Sequence, residues 1–233
     1  MPRKAKSEGI VTELPGVAAV SRALCILSAF QQGDQKLALA EIARRVGLYK
    51  STISRLTESL EAYGMLVRDE DGTFRLGTEL IRLGAIARNS VSRYPEIHAA
   101  LNQLMETTGE SATYYVRRDK FRLALFRIDS PRTIRDHIKV GDLLPLDRGA
   151  AGRVLLAEGT NGSSPSAFDT IISLGERDPE VAAIAGPVYA HDRIVGALSV
   201  SGPIGRFTKT NVRKMSQAVE EKCRYLSSLL VLD

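Results

Sequence analysis

The sequence predicts an α+β protein with two folded domains. Three observations indicate this fold class. Apolar residues recur at helical spacing from residue 17 to 64 and lead into a short hairpin pattern, helical and strand-like segments alternate after Pro95, and a long amphipathic helix closes the chain. The length of 233 residues suits one large domain or two ordinary ones, and 44% apolar with 25% charged residues is typical of a folded globular chain.

The chain is expected to begin with a disordered tail over residues 1–15, which show no periodicity. A helix is predicted from Val17 to about Gln31. It would pack behind the two helices that come next and complete a three-helix core. The apolar residues on its predicted inner face are Val20, Ala23, Leu24, Leu27 and Phe30.

Two short helices meeting at Gly47 are predicted next. The first covers residues 39–46, and Gly47 ends it because glycine tolerates the left-handed conformation of a helix C-terminal cap. Either Ser51 or Thr52 is expected to cap the second helix. The apolar face of this second helix would bury Ile53, Leu56 and Leu60. Its opposite face would present Lys50, Ser51, Thr52, Ser54, Arg55 and Glu58.

That polar face carries the residue types that bind DNA. Cations and short hydroxyls near a helix N-terminus suit phosphate, since the backbone N–H groups and the helix dipole also attract anions. Arginine is long enough to reach base edges in the major groove. We therefore interpret residues 38–64 as a helix-turn-helix whose second helix is the recognition helix. The alternative is a helical hairpin whose charged face is only solvated. The predicted DNA contacts on this helix are Lys50, Ser51, Thr52, Ser54 and Arg55.

A two-stranded hairpin is predicted directly after these helices. Residues 65–68 and 73–76 alternate apolar and polar side chains, and the turn between them contains Asp71-Gly72. Leu37 is expected to contact this hairpin as a short edge strand. A hairpin in this position makes the motif a winged helix-turn-helix. The wing would add Arg68, Thr73 and Arg75 to the DNA contacts.

A linker helix is expected over residues 78–94, starting at Thr78. Two interpretations of its apolar stripe remain open. The stripe either pairs with its twin in a dimer, as DNA readers with two half-sites do, or packs on its own domain. The residues of the stripe are Leu80, Leu83, Ile86 and Ala87.

The second domain is predicted over residues 95–233 as an antiparallel sheet flanked by its first and last helices. The predicted elements, in order, are a helix over 96–108, strands over 111–117, 121–129 and 134–140, an extended apolar segment at 143–146, a short helix over 153–157, a surface loop at 159–166, strands over 182–189 and 194–201, and a helix from about 208 to 230.

A small-molecule pocket is one interpretation of the residues near the start of the short helix. Gly149–Gly152 combines backbone N–H groups suited to a carboxylate with side chains small enough for close approach. Ser199 and Ser201 lie on one face of a strand, where buried hydroxyls need a partner, either a ligand or a neighbouring backbone group. Glu176 and Arg177 form a surface turn or face the same cavity.

The sequence offers little for catalysis or metal binding. His98, His137 and His191 are scattered, with no carboxylate or cysteine at metal-ligand spacing, and no phosphate-binding loop, nucleophile elbow or dinucleotide fingerprint occurs. We therefore predict no catalytic residues, no metal and no cofactor. Cys25 and Cys223 are expected to be buried reduced thiols.

Charge and hydropathy agree with a DNA-binding protein of the cytoplasm. The net charge is +5, and residues 1–94 hold 14 Lys and Arg against 10 Asp and Glu, so most of the positive excess lies beside the helix-turn-helix. No apolar run reaches the roughly 18 residues that a membrane span needs, and no signal-peptide pattern opens the chain.

The sequence resembles the IclR family of bacterial transcriptional regulators. The segments that carry the resemblance, in order, are AVSRALCILSAF, LALAEIARRVGLYKSTISRLTESLEAYGMLVRDEDGTFRLG, LLPLDRGAAGRVLLA and EVAAIAGPVYAHDRIVGALSVSGPIGRF. The resemblance implies a winged helix-turn-helix over residues 16–77, a linker helix over 78–94 and an effector domain of the GAF/profilin-like type over 95–233. It also implies dimers through the DNA-binding halves and tetramers through the effector halves.

The resemblance further implies an effector that is a small organic molecule, commonly a carboxylate or an aromatic catabolite. One departure from the family pattern affects the expected pocket: between Ala157 and Glu180 this chain is shorter than family members usually are. The effector contacts carried over by motif position are Gly149, Ala150, Ala151, Gly152, Ala183, Ser199 and Ser201, with Glu176 as a further candidate.

We therefore predict a transcriptional regulator, repressor or activator, that binds a palindromic DNA operator and responds to a small organic effector. One alternative is a constitutive DNA-binding protein whose second domain only oligomerises. Another is an enzyme acting on a small acid, which would need a catalytic constellation that the sequence does not show.

Overall fold

A computed structural model describes residues 16–91, 93–157, 168–191 and 193–230. The tail predicted over residues 1–15 and the loop predicted over 159–166 lie outside the described residues. The chain divides into two compact units, Met1–Val91 and Ser92–Asp233. The structure is mixed α+β, with a helix-turn-helix in the first unit and an antiparallel sheet with helices in the second.

The first unit is a small helical domain with a β-hairpin. Its core consists of apolar side chains from the first three helices, the hairpin and Leu37. Ile26, Ile42, Ile53 and Phe74 are among its fully buried members. The elements are α1 (Ala18–Ser28), α2 (Leu39–Val46), α3 (Lys50–Ala62), β1 (Leu66–Arg68), β2 (Phe74–Leu76) and α4 (Thr78–Ser90).

Helix α1 buries a different face from the one predicted. Val20 and Leu24 are 57% and 56% exposed, whereas Cys25, Ile26 and Ala29 are buried. The prediction of the inner face was therefore wrong at Val20 and Leu24. Because α1 carries apolar residues on two sides, its periodicity did not distinguish the side that meets the core from the side that remains uncovered.

The turn and the wing form as predicted. Gly47 adopts the left-handed conformation at φ 77°, and its N–H donates to the Ala43 carbonyl at 2.9 Å. Strands β1 and β2 pair antiparallel with Leu66 opposite Leu76. Leu37 exchanges two backbone hydrogen bonds of 2.8 Å with Phe74, which confirms the predicted edge contact.

Helix α4 buries none of its residues. Every residue from 81 to 90 is exposed, including Ile81 at 74% and Ile86 at 54%. Of the predicted stripe, only Leu80 is half-buried. The interpretation that this stripe packs on its own domain is therefore wrong for residues 81–90 within the first unit.

The second unit is a six-stranded antiparallel sheet with helices on both faces. The strand order is β5-β4-β3-β8-β7-β6, and every pairing is antiparallel. The elements are α5 (Tyr94–Thr108), β3 (Ser111–Arg118), β4 (Phe121–Ile128), β5 (Leu143–Pro145), α6 (Ala150–Leu156), β6 (Ile171–Leu174), β7 (Val181–Ala190), β8 (Arg193–Pro203), a 3₁₀ turn (Ile204–Arg206) and α7 (Lys209–Leu230).

Two neighbouring residues of β7 show how the helices divide between the faces. Ala185 packs in a cluster that includes residues of α6. A Cβ on the next residue, Gly186, would lie 2.8 Å from Cys223 Sγ and 3.1 Å from Val219 Cγ1 of α7. Since successive residues of a strand point to opposite faces, α6 and α7 lie on opposite sides of the sheet. Cys223 is fully buried and Cys25 nearly so, both as free thiols.

Three elements of this unit differ from the prediction. Residues 134–140 form no strand, although their alternating apolar residues resembled one: only Asp136 and Ile138 are buried there. The third strand is instead β5, which pairs with β4, and β6 was not predicted at all. Helix α6 begins at Ala150, three residues before the predicted start.

Candidate functional site

The polar face of α3 is exposed as predicted at its two cationic positions. Lys50, Ser51 and Arg55 are exposed, whereas Thr52 and Ser54 are half-buried. Neither Lys50 nor Arg55 forms an ion pair with any described residue. Both charges therefore point outward without an internal partner.

The start of α3 differs from the predicted cap. The helix begins at Lys50 with Tyr49 as its N-cap residue, and no side chain caps it. Ser51 and Thr52 lie within its first turn, so the prediction that one of them caps the helix was wrong. The reason is that Tyr49 is already extended, at φ −68° and ψ 143°, and its carbonyl accepts the Ile53 N–H at 3.1 Å. Backbone N–H groups of the first turn thus lack a side-chain cap, which favours an anion there.

The sequence prediction gave no role to Thr57 in α3 or to Tyr49, the residue before this helix. Thr57 is fully buried, with its hydroxyl donating to the Ser54 carbonyl at 2.9 Å, while Leu56 is only half-buried. Tyr49 is 85% exposed directly before Lys50. Its ring and its hydroxyl are thus both accessible beside the start of α3.

The cations of the wing are held by neighbouring carboxylates. Arg68 Nη2 lies 3.2 Å from Glu61 Oε1, and Arg75 Nε lies 3.0 Å from Asp69 Oδ1. The Thr73 hydroxyl donates to Asp71. Exposed ion pairs of this kind contribute little to stability, so exchanging either carboxylate for another anion would cost little.

Six of the eight predicted effector residues line one small cavity in the second unit. Its volume is about 30 Å³, which is the space of one water molecule. The predicted residues that line it are Gly149, Ala150, Ala151, Ala183, Ser199 and Ser201. The other lining residues are Tyr115, Arg122, Asp136, Ile138, Ser173, Arg177 and Val181.

Gly152 does not line this cavity, contrary to the prediction. A Cβ at Gly152 would lie 2.4 Å from the Leu146 carbonyl oxygen and 2.6 Å from Arg122 Nη1, and a Cβ at Gly149 would lie 3.2 Å from Arg122 Nη2. The small side chains of this segment therefore make room for the guanidinium group of Arg122. The sequence had instead indicated that a ligand occupies the space beside these small residues.

Glu176 lies beside the cavity, and its carboxylate binds a backbone N–H that was predicted to bind an effector anion. Its Oε2 accepts the Gly149 N–H at 3.0 Å, and its Oε1 lies 3.0 Å from Arg153 Nη2. We expected the Gly149 N–H to bind an effector carboxylate. It already binds the carboxylate of Glu176. Glu176 is not among the residues that line the cavity.

A buried acid–base pair closes one side of the cavity. The side chain of Asp136 is fully buried, and its carboxylate binds the Arg127 guanidinium. The Ser201 hydroxyl donates to Asp136 Oδ2 at 2.7 Å. Ser201 therefore has a protein partner, one of the two outcomes that the sequence left open. Because Arg127 neutralises Asp136, this pair adds no net charge to the cavity.

Arg122 is the lining residue that the sequence analysis overlooked. It is 3% exposed, and its Nη1 donates to the carbonyls of Pro145 and Arg148, the latter at 2.7 Å. Its guanidinium carbon lies 5.6 Å from the ring centre of Tyr115. Burial lowers the pKa of Arg122, and the neighbouring Arg177 lowers it further. The burial of Arg122 could have been predicted from its position in β4, because it alternates in phase with the buried Ala124 and Phe126.

The described residues were also compared with the requirements of a metal site and of a membrane-spanning helix, and they meet neither. No group of three or more His, Cys, Asp or Glu there is arranged to hold a metal ion. Across the same residues, each helix is too short or too polar to span a lipid bilayer.

Both units match models of known protein families. Residues 19–70 match the model of the IclR helix-turn-helix domain, and residues 93–174 and 170–228 match that of the bacterial transcriptional regulator IclR C-terminal domain. The glycerol operon regulatory protein of Streptomyces griseus is 27% identical in an alignment 223 residues long that covers 82% of this chain and 86% of that protein.

Solved structures with the same fold cover nearly the whole chain. The crystal structure of an IclR transcriptional regulator from Alicyclobacillus acidocaldarius has a TM-score of 0.80 at 24% identity, covering 91% of this chain and 98% of that one. An IclR homologue from Microbacterium hydrocarbonoxydans, complexed with 4-hydroxybenzoate, has a TM-score of 0.70 at 18% identity and covers 89% of this chain and 100% of that one.

Proposed function

Because the chain belongs to the IclR family of transcriptional regulators and carries its DNA-binding helix-turn-helix, we propose that it binds a specific palindromic operator and that a small organic effector changes its affinity for that DNA. Its place of action would be the cytoplasm, where such an operator lies. The observation that carries the proposal is the exposed polar face of α3.

The geometry of α3 supports base reading together with phosphate contact. Arg55 lies one turn into the helix, unpaired among the described residues, at a distance from the N-terminus suited to a base edge. Lys50 and the uncapped first turn suit a phosphate of the backbone. Arg68, Thr73 and Arg75 of the wing would contact the adjoining backbone.

A homodimer fits the uncovered apolar faces of the first unit. Val17, Val20 and Leu24 are exposed along α1, and Ile81 and Ile86 are exposed along α4. Two copies joined there would present two recognition helices to two half-sites, as palindromic operators require. Sedimentation velocity of the full chain checks this proposal: a monomer at micromolar concentration would contradict it.

Effector binding is supported by the cavity that the predicted residues surround. Its lining combines small and apolar side chains with three serines and three charged residues, which offer polar contacts to a small ligand. A structural neighbour holds 4-hydroxybenzoate, which agrees with a carboxylate effector here.

The constitutive DNA-binding alternative differs in one respect: no small molecule would change its melting temperature or its DNA affinity. An enzyme acting on a small acid remains the weakest alternative, and turnover in a substrate screen would support it.

The central test measures DNA binding by Arg55→Ala. A duplex is first selected from a random pool with the wild-type chain, and its affinity is then followed by fluorescence anisotropy. Loss of a base-reading arginine is expected to weaken binding by about 1–3 kcal/mol and to relax the preference at one base pair of each half-site.

The matched control is Arg82→Ala, an exposed arginine of α4 that pairs with Glu79. This variant is expected to bind the selected duplex nearly as the wild type does. Unchanged binding by Arg55→Ala, at an unchanged melting temperature, would show that α3 does not read the operator in the proposed way.

A further inference from the structure

The cavity beside α6 holds two guanidinium groups without a carboxylate partner. Arg122 and Arg177 both line it, and neither forms an ion pair with any residue in the described ranges. Arg122 Nε and Arg177 Nη2 are buried and lack a hydrogen-bond partner within those ranges. Buried donors of this kind are costly when they stay unpaired, and buried cations more so.

The remaining charges near the cavity do not compensate these two. Asp136 is the one lining carboxylate, and Arg127 neutralises it. The carboxylate of Glu176 is bound to the Gly149 N–H and to Arg153. Arg122 and Arg177 thus face a space bordered by alanine methyl groups and serine hydroxyls, and its one lining carboxylate is paired with Arg127. Asp147, which acts on Arg122, does not line the cavity and is paired with Arg148.

From this arrangement we infer that the effector is a small aliphatic acid with two negatively charged groups, one bound by Arg122 and the other by Arg177. This inference rests on the proposed function, whose effector class it narrows. The fork of a guanidinium matches a carboxylate or a phosphate in two parallel hydrogen bonds. Two carboxylates, or one carboxylate and one phosphate, share this chemistry.

Size sets the second condition on the ligand. The cavity of about 30 Å³ holds no more than a water molecule, so binding requires it to widen. Arg122 is anchored by the Pro145 and Arg148 carbonyls and packed against Gly149 and Gly152. Arg177 is half-buried in the turn after β6 and makes no such contacts within the described residues. A short acid therefore meets a fixed cation at one end and a cation on a turn at the other.

Calorimetric titration of the full chain at neutral pH tests the inference with four probes. Succinate and phosphoglycolate carry two charged groups and differ in the source of the second charge. Butyrate has one charge at the same chain length, and succinamide has none. One of the dianions is expected to bind at least about tenfold more tightly than butyrate, because one more charge-assisted hydrogen-bonded pair is formed. Succinamide is expected to bind more weakly still.

Variants of Arg177 test whether this residue provides the selectivity for a second charged group. Arg177→Gln is expected to reduce the affinity for the dianion to about that for butyrate and to leave butyrate binding in place. Arg177→Lys keeps the charge and is expected to keep the preference, which guards against a loss caused by misfolding. Arg117→Gln, at an exposed position on β3, is the matched control and is expected to bind all four probes as the wild type does.

The outcomes separate this inference from the proposed function. Equal affinity for butyrate and both dianions, or no binding of either dianion, overturns the inference. If another compound then changes affinity for the selected duplex, the proposed function stands without it. Selective binding of a dianion that leaves DNA affinity unchanged supports the two-arginine site but contradicts its role as the effector site, and with it the proposed effector control.

Discussion

Substitution of Gly152 by alanine tests how α6 and Arg122 fit together. The added methyl carbon would lie 2.4 Å from the Leu146 carbonyl oxygen and 2.6 Å from Arg122 Nη1. Both separations are well below van der Waals contact, and the first involves backbone that has little freedom to move. We expect Gly152→Ala to destabilise the second unit and to displace the Arg122 guanidinium.

Two opposing effects set the size of this change. Alanine in a helix interior is favoured over glycine by about 1 kcal/mol. Overpacking a core costs about 1–3 kcal/mol, and weakening a hydrogen bond to a charged group costs about 1.5–3 kcal/mol. The unfavourable effects win, so the free energy of unfolding should fall by about 1.5–5 kcal/mol, which lowers the melting temperature by several degrees or more, at about 2–4 °C per kcal/mol for a chain of this size.

Thermal and urea unfolding, followed by far-ultraviolet circular dichroism, measure the effect; the chain has no tryptophan to report it by fluorescence. Gly205→Ala is the matched control, because no atom lies within 4 Å of its added Cβ. Equal stability of the two variants would refute the reasoning that the glycine is there to admit Arg122.

Two further predictions concern the first unit. Gly47→Ala should lower its free energy of unfolding by about 1–2 kcal/mol, because Gly47 is left-handed at φ 77°; Gly47→Asn should cost less, and equal losses in urea titrations would contradict this account. Hydrogen bonds from Arg44, then Arg45, lower the pKa of Glu41 from 4.5 to about 2. Because the folded pKa is the lower one, Glu41 stabilises the unit fully above pH 4.5, and this contribution disappears as the pH falls to about 2. The melting temperature should therefore fall less steeply over that range in Glu41→Gln; an equal slope in the variant would rule out this contribution.

The fold of the first unit was largely predictable because its signals are local. Gly47 ends α2 where expected, and the Asp-Gly turn at residues 71–72 joins the two strands of the wing. The inner face of α1 was not predictable from periodicity, because Val20 and Leu24 continue an apolar pattern that does not reach the core. An uncovered apolar side and a buried one have the same spacing in sequence.

The second unit was harder to predict where pairing depends on distant residues. Residues 134–140 alternate like a strand yet form none, whereas β6 is short and was overlooked. Which segment joins a sheet depends on a free neighbouring edge, and local composition does not determine that.

The sequence predicted the small residues that line the candidate cavity, but it did not predict all of the charged residues there. Gly149, Ala183 and Ser199 do line it. For Arg177 the sequence left two places open, a surface turn or the cavity, and Arg177 does line the cavity. Arg122 was not proposed, because an arginine in a strand is usually solvated. The displacement of Gly152 from the cavity follows from Arg122, a residue 30 positions earlier in the chain.

The reciprocal hydrogen bonds between Leu37 and Phe74 have a mechanical consequence. Two strands of three residues each are too short to hold their orientation alone. Leu37 adds a third segment beside β2, and Lys36 pairs with Asp71 near the tip. The hairpin is therefore tied to the segment that leads into α2. In the proposed complex a duplex would have to adapt to this hairpin, so bendable base steps and groove width would contribute to which sequences are preferred, even where no side chain touches a base.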